Sequence, residues 1–373
     1  MNKLLLALLL FLLSFSWIKV TASDSCPASF PWKAQWINTE RCQSATNTWL
    51  IYRKSFAVTN VPNQLIARIA ADSKYWLWIN DQLVIFEGGL KRGPSPSGTY
   101  YDPVDIAPYL TKGSNTIAIL LWHFGKDGFS HINSGKAALL FEAIAPGLEI
   151  VSDASWQCAL YEAYQNTEAP FPNYRMPESN IRFDARQAIT NWNRTSFEGF
   201  LPGAVCVGKA GKAPFGELVE RPIPQWKNSG LLSYVSVRES LKGDTLFCRL
   251  PYNAQITPYL KVEAEAGKTI HIRMDNYEGG SERNVRAEYI TREGEQEYES
   301  YGWMNGHEVY YIIPEGVKVL DVKYRETGYN TDLAGSFHCD DPFYDELWQR
   351  SARTLYITCL LYTSDAADDR ISV

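Results

Sequence analysis

The hexapeptide YWLWIN (Tyr75–Asn80) decides how this chain is built. With the two-residue period of a strand, one face carries Tyr75, Leu77 and Ile79, and the other Trp76, Trp78 and Asn80. Both faces are largely apolar, so the strand belongs inside a sandwich with a further layer packed outside it. LIARIAA (Leu65–Ala71) precedes it, Asn80-Asp81 supplies a turn, and QLVIF (Gln82–Phe86) follows as the returning strand. NTIAILLW (Asn115–Trp122), a continuous apolar run between Lys112-Gly113 and Gly125, reads as a central buried strand. Between them, GGLKRGPSPSGTYYDP (Gly88–Pro103) is a Gly/Pro/Ser loop long enough to be a functional surface.

The same β pattern continues downstream. Residues 146–230 are Pro-rich and less regular, and read as strands and arms that tie two β domains together. From Leu231 to about Asn330, YLKVEAEAGKTIHIRMDNYEGG (Tyr259–Gly280) and HEVYYIIPEGVKVLDVKYRET (His307–Thr327) are alternating runs around Gly-containing turns. At Gly335 the character changes. In FHCDDPFYDELWQRSARTLYIT, Asp341 is a natural N-cap and Pro342 fits the first helical position. Asp345 and Glu346 suit the positive end of the dipole, and Leu347, Trp348, Ser351, Ala352 and Leu355 form a helical stripe. That stripe requires a partner, and no other strong helix is legible in the sequence.

The chain has 373 residues, 45% hydrophobic and 21% charged, the profile of a globular protein with room for two ordinary domains. A net charge of −6 without any basic block argues against nucleic acid as a partner. Asn2-Lys3, the apolar run Leu4–Ile18 and Val20-Thr21-Ala22 form a secretory signal with cleavage expected before Ser23. The run is shorter than the roughly 20 residues of a spanning helix, so a periplasmic or secreted protein without membrane attachment is expected. Of seven cysteines, Cys26 and Cys42 are spaced to close a short loop, and the odd number leaves one thiol over. Without a CxxC pair, a His/Cys cluster or an acidic loop of calcium-binding spacing, neither metal nor cofactor is expected.

Taken in order, these segments resemble the bacterial α-L-rhamnosidases of glycoside hydrolase family 78. WKAQWI, ADSKYWLWIND and YYDPVDIAPYLTKGSNTIAILLWHFG resemble the front β domain of that family. The stretch MDNYEGG through YRETGYNT looks like its second β-sandwich, and GSFHCDDPFYDELWQRSARTLYIT like the first helix of its catalytic (α/α)6 barrel. The resemblance covers about residues 32–358. It implies a mainly β fold of two jelly-roll-like β-sandwich domains, followed by the first helix of a barrel absent from this sequence. The expected segments are a signal peptide (1–22), a front sandwich (23–145), connecting strands (146–230), a second sandwich (231–334) and the first barrel helix (335–358).

For function, the resemblance implies removal of terminal α-L-rhamnose with inversion, from a rhamnose-containing glycan. Inversion needs one carboxylic acid to protonate the leaving oxygen and a second carboxylate to activate water, roughly 6.5–9.5 Å apart. In the family those carboxylates lie in the barrel, in a segment beyond the end of this sequence, so no residue here takes a catalytic role by motif. The final stretch, CLLYTSDAADD (Cys359–Asp369), can be encoded by the end of a transposase-based sequencing-library adapter. Residues 359–373 are therefore expected to be adapter-derived, and the chain to be truncated within the first barrel helix near Thr358. Without Cys359 the cysteine count becomes even. Two alternatives remain: a carbohydrate-binding β-sandwich module, or another multidomain (α/α)6 glycosidase of different sugar specificity.

Asp340-Asp341 is read as a helix start and not a catalytic pair, Glu278 in DNYEGG as a turn residue, and the Asn193-Arg194-Thr195 sequon as chance. The strongest patch combines GGLKRGP with WHFGKDGFSH (Trp122–His131). Lys91, Arg92, Tyr100, Trp122, His123, Lys126 and His131 supply aromatic faces and hydroxyl donors, the usual physics of a carbohydrate site. The same loops equally suit docking of the front sandwich against the barrel of its own full-length chain.

Overall fold

The computed structural model describes residues 31–89, 98–128, 131–169, 171–172, 178–222, 224–275, 285–328, 330 and 334–358. The expected signal peptide, Lys91, Arg92, Glu278 and residues 359–373 lie outside them. Along the first stretch run β1 (Gln35–Asn38), β2 (Thr48–Val58), β3 (Ile66–Asp72), β4 (Lys74–Ile79) and β5 (Gln82–Gly89). They are followed by β6 (Thr99–Asp105), β7 (Gly113–His123), β8 (Ala138–Ala145) and β9 (Leu148–Val151). The connecting stretch supplies β10 (Gln157–Leu160), β11 (Tyr164–Asn166), β12 (Ile181–Asp184), β13 (Val205–Lys209), β14 (Leu218–Glu220) and β15 (Lys227–Leu232). Next come β16 (Ser236–Glu239), β17 (Thr245–Ala264), β18 (Thr269–Met274), β19 (Arg286–Ile290), β20 (Gly294–Glu299), β21 (Met304–Ile312) and β22 (Val317–Gly328). One α-helix, α1 (Pro342–Thr358), closes the described chain.

The strands form three sheets. A seven-stranded sheet runs β13-β1-β8-β3-β6-β14 with β9 beside β8, and a five-stranded sheet runs β10-β2-β7-β4-β5. These two enclose one core. Leu50, Tyr52, Tyr75, Leu77, Ile79, Ile119 and Leu121 of the five-stranded sheet meet Ile37, Ile69, Leu139, Phe141 and Ile150 of the seven-stranded one. The other face of the five-stranded sheet is buried too. Trp49, Trp76, Trp78, Phe86, Leu120 and Trp122 share a second core with residues of the third sheet. YWLWIN is thus buried on both faces, as its composition requires.

The third sheet has ten strands, ordered β11-β12-β19-β18-β21-β17-β22-β15, with β16 and β20 also on β17. Its axis is the 20-residue β17. The first half of β17 pairs with β16 and β21, the second half with β20 and β22, across a register shift between Arg249 and Ala254. Leu250, Ala254, Ile256, Leu260 and Val262 of the two halves share one core. Tyr289 of β19 stacks on Tyr298 of β20 at 4.6 Å although these strands are not paired. The Tyr311 hydroxyl of β21 donates to the Tyr259 carbonyl of β17 at 3.0 Å. Strands of the connecting stretch go to all three sheets: β10 to the five-stranded, β13 and β14 to the seven-stranded, and β11, β12 and β15 to the ten-stranded.

One local reading changes. The loop Gly88–Pro103 is shorter than its composition suggests, because TYYDPVD forms strand β6, in which Pro103 sits opposite Arg68. The five described cysteines (42, 158, 206, 248 and 339) form no bridge with one another, and Cys26, the partner expected for Cys42, lies outside the described residues. The helix starts as expected. The Asp341 carboxylate accepts from the Phe343 amide at 3.0 Å, which satisfies a donor the first turn would otherwise leave open.

Candidate functional site

Polar and charged side chains concentrate where β4 leaves the β3 corner, at Asp72-Ser73-Lys74, and all three are fully buried. A charge on such a face must find a partner or destabilise the fold. Asp72 has several. Its Oδ1 accepts from His123 Nδ1 at 2.9 Å and from the Ser73 hydroxyl at 3.0 Å, and its Oδ2 from the Ser134 amide at 2.9 Å. Burial alone pushes the Asp72 carboxyl up, but His123, hydrogen-bonded to it, and His131, 3.7 Å away, outweigh it and hold the group well below the usual carboxylate range.

Serine, histidine and aspartate together invite comparison with a nucleophilic triad. The geometry opposes it. His131 Nε2 lies 3.0 Å from Ser73 Oγ, but Asp72 Oδ1 lies 3.0 Å from the same hydroxyl and Oγ accepts from the Phe124 amide. In a triad the carboxylate orients the far nitrogen of the histidine, whereas His131 Nδ1 has no partner among the described residues. Ser73 and His131 are also closed to solvent. The arrangement pins the loop after β7 to the β3–β4 corner.

The Asp72 linkage has a pH signature. A carboxyl held below its unfolded value of about 3.9 gives stability that is complete above roughly pH 5. That contribution is lost as pH falls through the folded value. The urea midpoint of the wild type is expected to fall more steeply between pH 5 and pH 3 than that of Asp72→Asn, which begins lower at neutral pH. Parallel curves for the two proteins would remove Asp72 as the group responsible.

Lys74 continues the seam on the outer face of β4, two and four residues before Trp76 and Trp78. Its ammonium pairs with the Glu87 carboxylate and lies 3.3 Å from the centroid of Trp303. Trp303 sits just ahead of β21, and its indole N–H donates to Glu87 Oε2 at 2.5 Å. Glu87 occupies a bulge of β5 with φ +72°, which turns its carboxylate toward Lys74. Burial pushes the Glu87 carboxyl up, against the opposing pull of Lys74 and Trp303. The three side chains join the five-stranded and ten-stranded sheets through a buried ion pair roofed by an indole.

A third cluster holds the stem of the Gly88–Gly89 loop. Asp102 Oδ2 accepts from the Tyr75 hydroxyl and the Gly89 amide, both at 2.8 Å, while Arg221 pairs with Oδ1 and reaches the Gly89 carbonyl. A Cβ on Gly88 would stand 2.2 Å from the Tyr75 ring, so glycine is required there.

The expected carbohydrate patch does not assemble as read. Trp122, His123 and His131 have no exposed surface. Trp122 donates to Asn47 Oδ1 at 2.8 Å and stacks on Trp49, and both histidines serve Asp72. A glycan outside the sheet cannot stack on or bond to them in this arrangement. Tyr100 and Lys126 are partly exposed, Tyr100 on β6 opposite Val219 and Lys126 just after β7. Burial lowers the Lys126 ammonium, opposed by the nearby Glu178 carboxylate. Among the described residues no group of His, Cys, Asp and Glu is arranged to hold a metal ion. Lys74, Glu87 and Trp303 escaped the sequence reading. The available signal was a lysine in period with two tryptophans on one strand face.

No protein-family model and no curated protein matches this sequence. Solved structures do. The GH78 family rhamnosidase of Bacillus sp. GL1 superposes with a TM-score of 0.78 at 17% identity, over 89% of this chain and 58% of that one. The α-L-rhamnosidase of Dictyoglumus thermophilum gives 0.62 at 20% identity, over 85% of this chain and 38% of that one. The Streptomyces avermitilis α-L-rhamnosidase, solved with L-rhamnose, gives 0.64 at 16% identity, over 84% and 32%. This chain thus shares the fold of part of each enzyme and spans less than two thirds of their length.

Proposed function

We propose that this chain is the non-catalytic, β-rich N-terminal part of a secreted α-L-rhamnosidase that hydrolyses terminal α-L-rhamnose with inversion. The observation that carries the reading is the superposition on the Bacillus sp. GL1 enzyme, which runs through nearly all of this chain and only 58% of that one. The chemistry of the described residues agrees with it. Asp72, Glu87 and Asp102 are committed to buried pairs, and Asp341 and Asp345 to the start of α1, where Asp345 binds His338 and the Cys339 amide. None of these carboxylates is left to work as an acid or a base on an outside substrate. Burial of Trp122, His123 and His131 weighs against the carbohydrate-module alternative.

On this reading the parent's substrate is a rhamnose-containing glycan, and the partner of these sheets is the helical domain of the same polypeptide. The purified chain is expected to release no nitrophenol above background from an aryl α-L-rhamnoside, and turnover would overturn the non-catalytic assignment. The genomic reading frame extended past Thr358 should yield a protein that hydrolyses the same compound with the β-anomer formed first. An extended protein that acts on another glycoside, or forms the α-anomer first, would overturn the rhamnosidase assignment.

A further inference from the structure

Helix α1 has 17 residues, and a helix of ordinary composition in a protein draws most of its stability from tertiary packing. Its first turns are open, with Phe343, Tyr344 and Leu347 all exposed. Its last turns are held. Arg353 Nη1 lies 2.8 Å from Glu326 Oε1 at the end of β22, and Glu326 is nearly closed to solvent. The guanidinium is stacked 3.6 Å from the Tyr252 centroid and 4.7 Å from that of Tyr356. The Tyr252 hydroxyl donates to the other oxygen of Glu326 at 3.0 Å, and Arg353 Nη2 reaches the Asn253 carbonyl at 3.4 Å. Tyr356 lies flush on the backbone of Gly328, where a Cβ would stand 2.0 Å from the ring.

We infer that Arg353 and Glu326, with Tyr252 and Tyr356, form a clamp through which β22 fixes the position of α1 on the ten-stranded sheet. A planar guanidinium between two phenol rings, paired with a buried carboxylate, fixes direction as well as contact. The inference rests on the proposed reading for its purpose: a helical domain begun by α1 takes its orientation to the β layers from this clamp. Arg353 and Glu326 are positioning residues and touch no substrate.

Hydrogen exchange by mass spectrometry on the full chain tests the clamp without any glycoside, so a failed rhamnoside assay and a failed clamp remain distinct results. In the wild type, amides of 346–358 should be protected. Arg353→Ala and Glu326→Ala should each cut that protection by about tenfold or more, while peptides of β18 and β21 keep theirs. Arg353→Lys, which keeps the charge and loses the planar stack, should fall between. Gly328→Ala forces the Tyr356 ring away and should lower protection, yet add nothing in a Tyr356→Ala background, where there is no ring to displace. Wild-type exchange in Arg353→Ala and Glu326→Ala would overturn the clamp, as would additive effects of Gly328→Ala and Tyr356→Ala. Should Glu326→Ala unfold the sheet as a whole, Tyr356→Ala with Gly328→Ala, placed where ring meets backbone, decides alone.

Discussion

Lys74→Met is expected to lower folding stability by about 3–5 kcal/mol, because it leaves the Glu87 carboxylate buried without its counter-ion. Both side chains of the pair are fully enclosed, so water cannot take over from the lysine. Glu87 would keep only the Trp303 N–H, too little for a charge at that depth. The double variant Lys74→Met/Glu87→Met separates the cost of an orphaned charge from the value of the pair. Replacing both partners by apolar groups of similar size removes both desolvation penalties, so it should recover most of what the single variant loses. Urea unfolding followed by tryptophan fluorescence reads the comparison, and Trp303 lies against the altered group. A single variant within about 1 kcal/mol of wild type would mean that the pair is hydrated and does not join the layers.

That pair also marks where sequence stops being legible. YWLWIN discloses its two buried faces because side-chain alternation is a local property, fixed by the pleat. The start of α1 is legible for the same reason, since Asp341 and the Phe343 amide it caps are two residues apart. Buried polar contacts are not local. His123 reaches Asp72 across 51 residues, and Trp303 reaches Glu87 across 216. WHFGKDGFSH therefore read as an exposed glycine-rich loop with useful donors. In the structure β7 continues through His123, and the acceptor that draws both histidines inward comes from the β3–β4 corner. A strand pattern tells which face a residue occupies, and nothing in it tells which distant carboxylate waits there. The long β17 was hidden by the same limit. Its length rests on pairing with four other strands, so only its C-terminal end, from Tyr259, was legible as an alternating run.

Trp76→Ala is the second change expected to be severe, at about 3–5 kcal/mol for an enclosed indole. Trp76 is fully buried, stacks on Tyr301 at 4.5 Å, and lies 5.9 Å from Trp49 and 6.3 Å from the edge-on Phe86. Tyr301 belongs to the segment between β20 and β21, so the cavity would open between the five-stranded and ten-stranded sheets and not within the front sandwich. Rigid sheets on either side collapse poorly into such a space, which places the cost toward the upper end. Trp76→Phe should cost much less. It keeps a ring in the stack, and the indole N–H it removes has no hydrogen-bond partner among the described residues, so no bond to them is lost. Leu77→Ala, one residue on, empties the opposite core and is expected to cost about 2–5 kcal/mol. Its core is bounded by the seven-stranded sheet, so Trp76→Ala and Leu77→Ala should be close to additive when combined, as expected of sites with separate neighbours. Strong coupling between these adjacent residues, or a Trp76→Ala protein as stable as the wild type, would contradict two distinct cores on the two faces of β4.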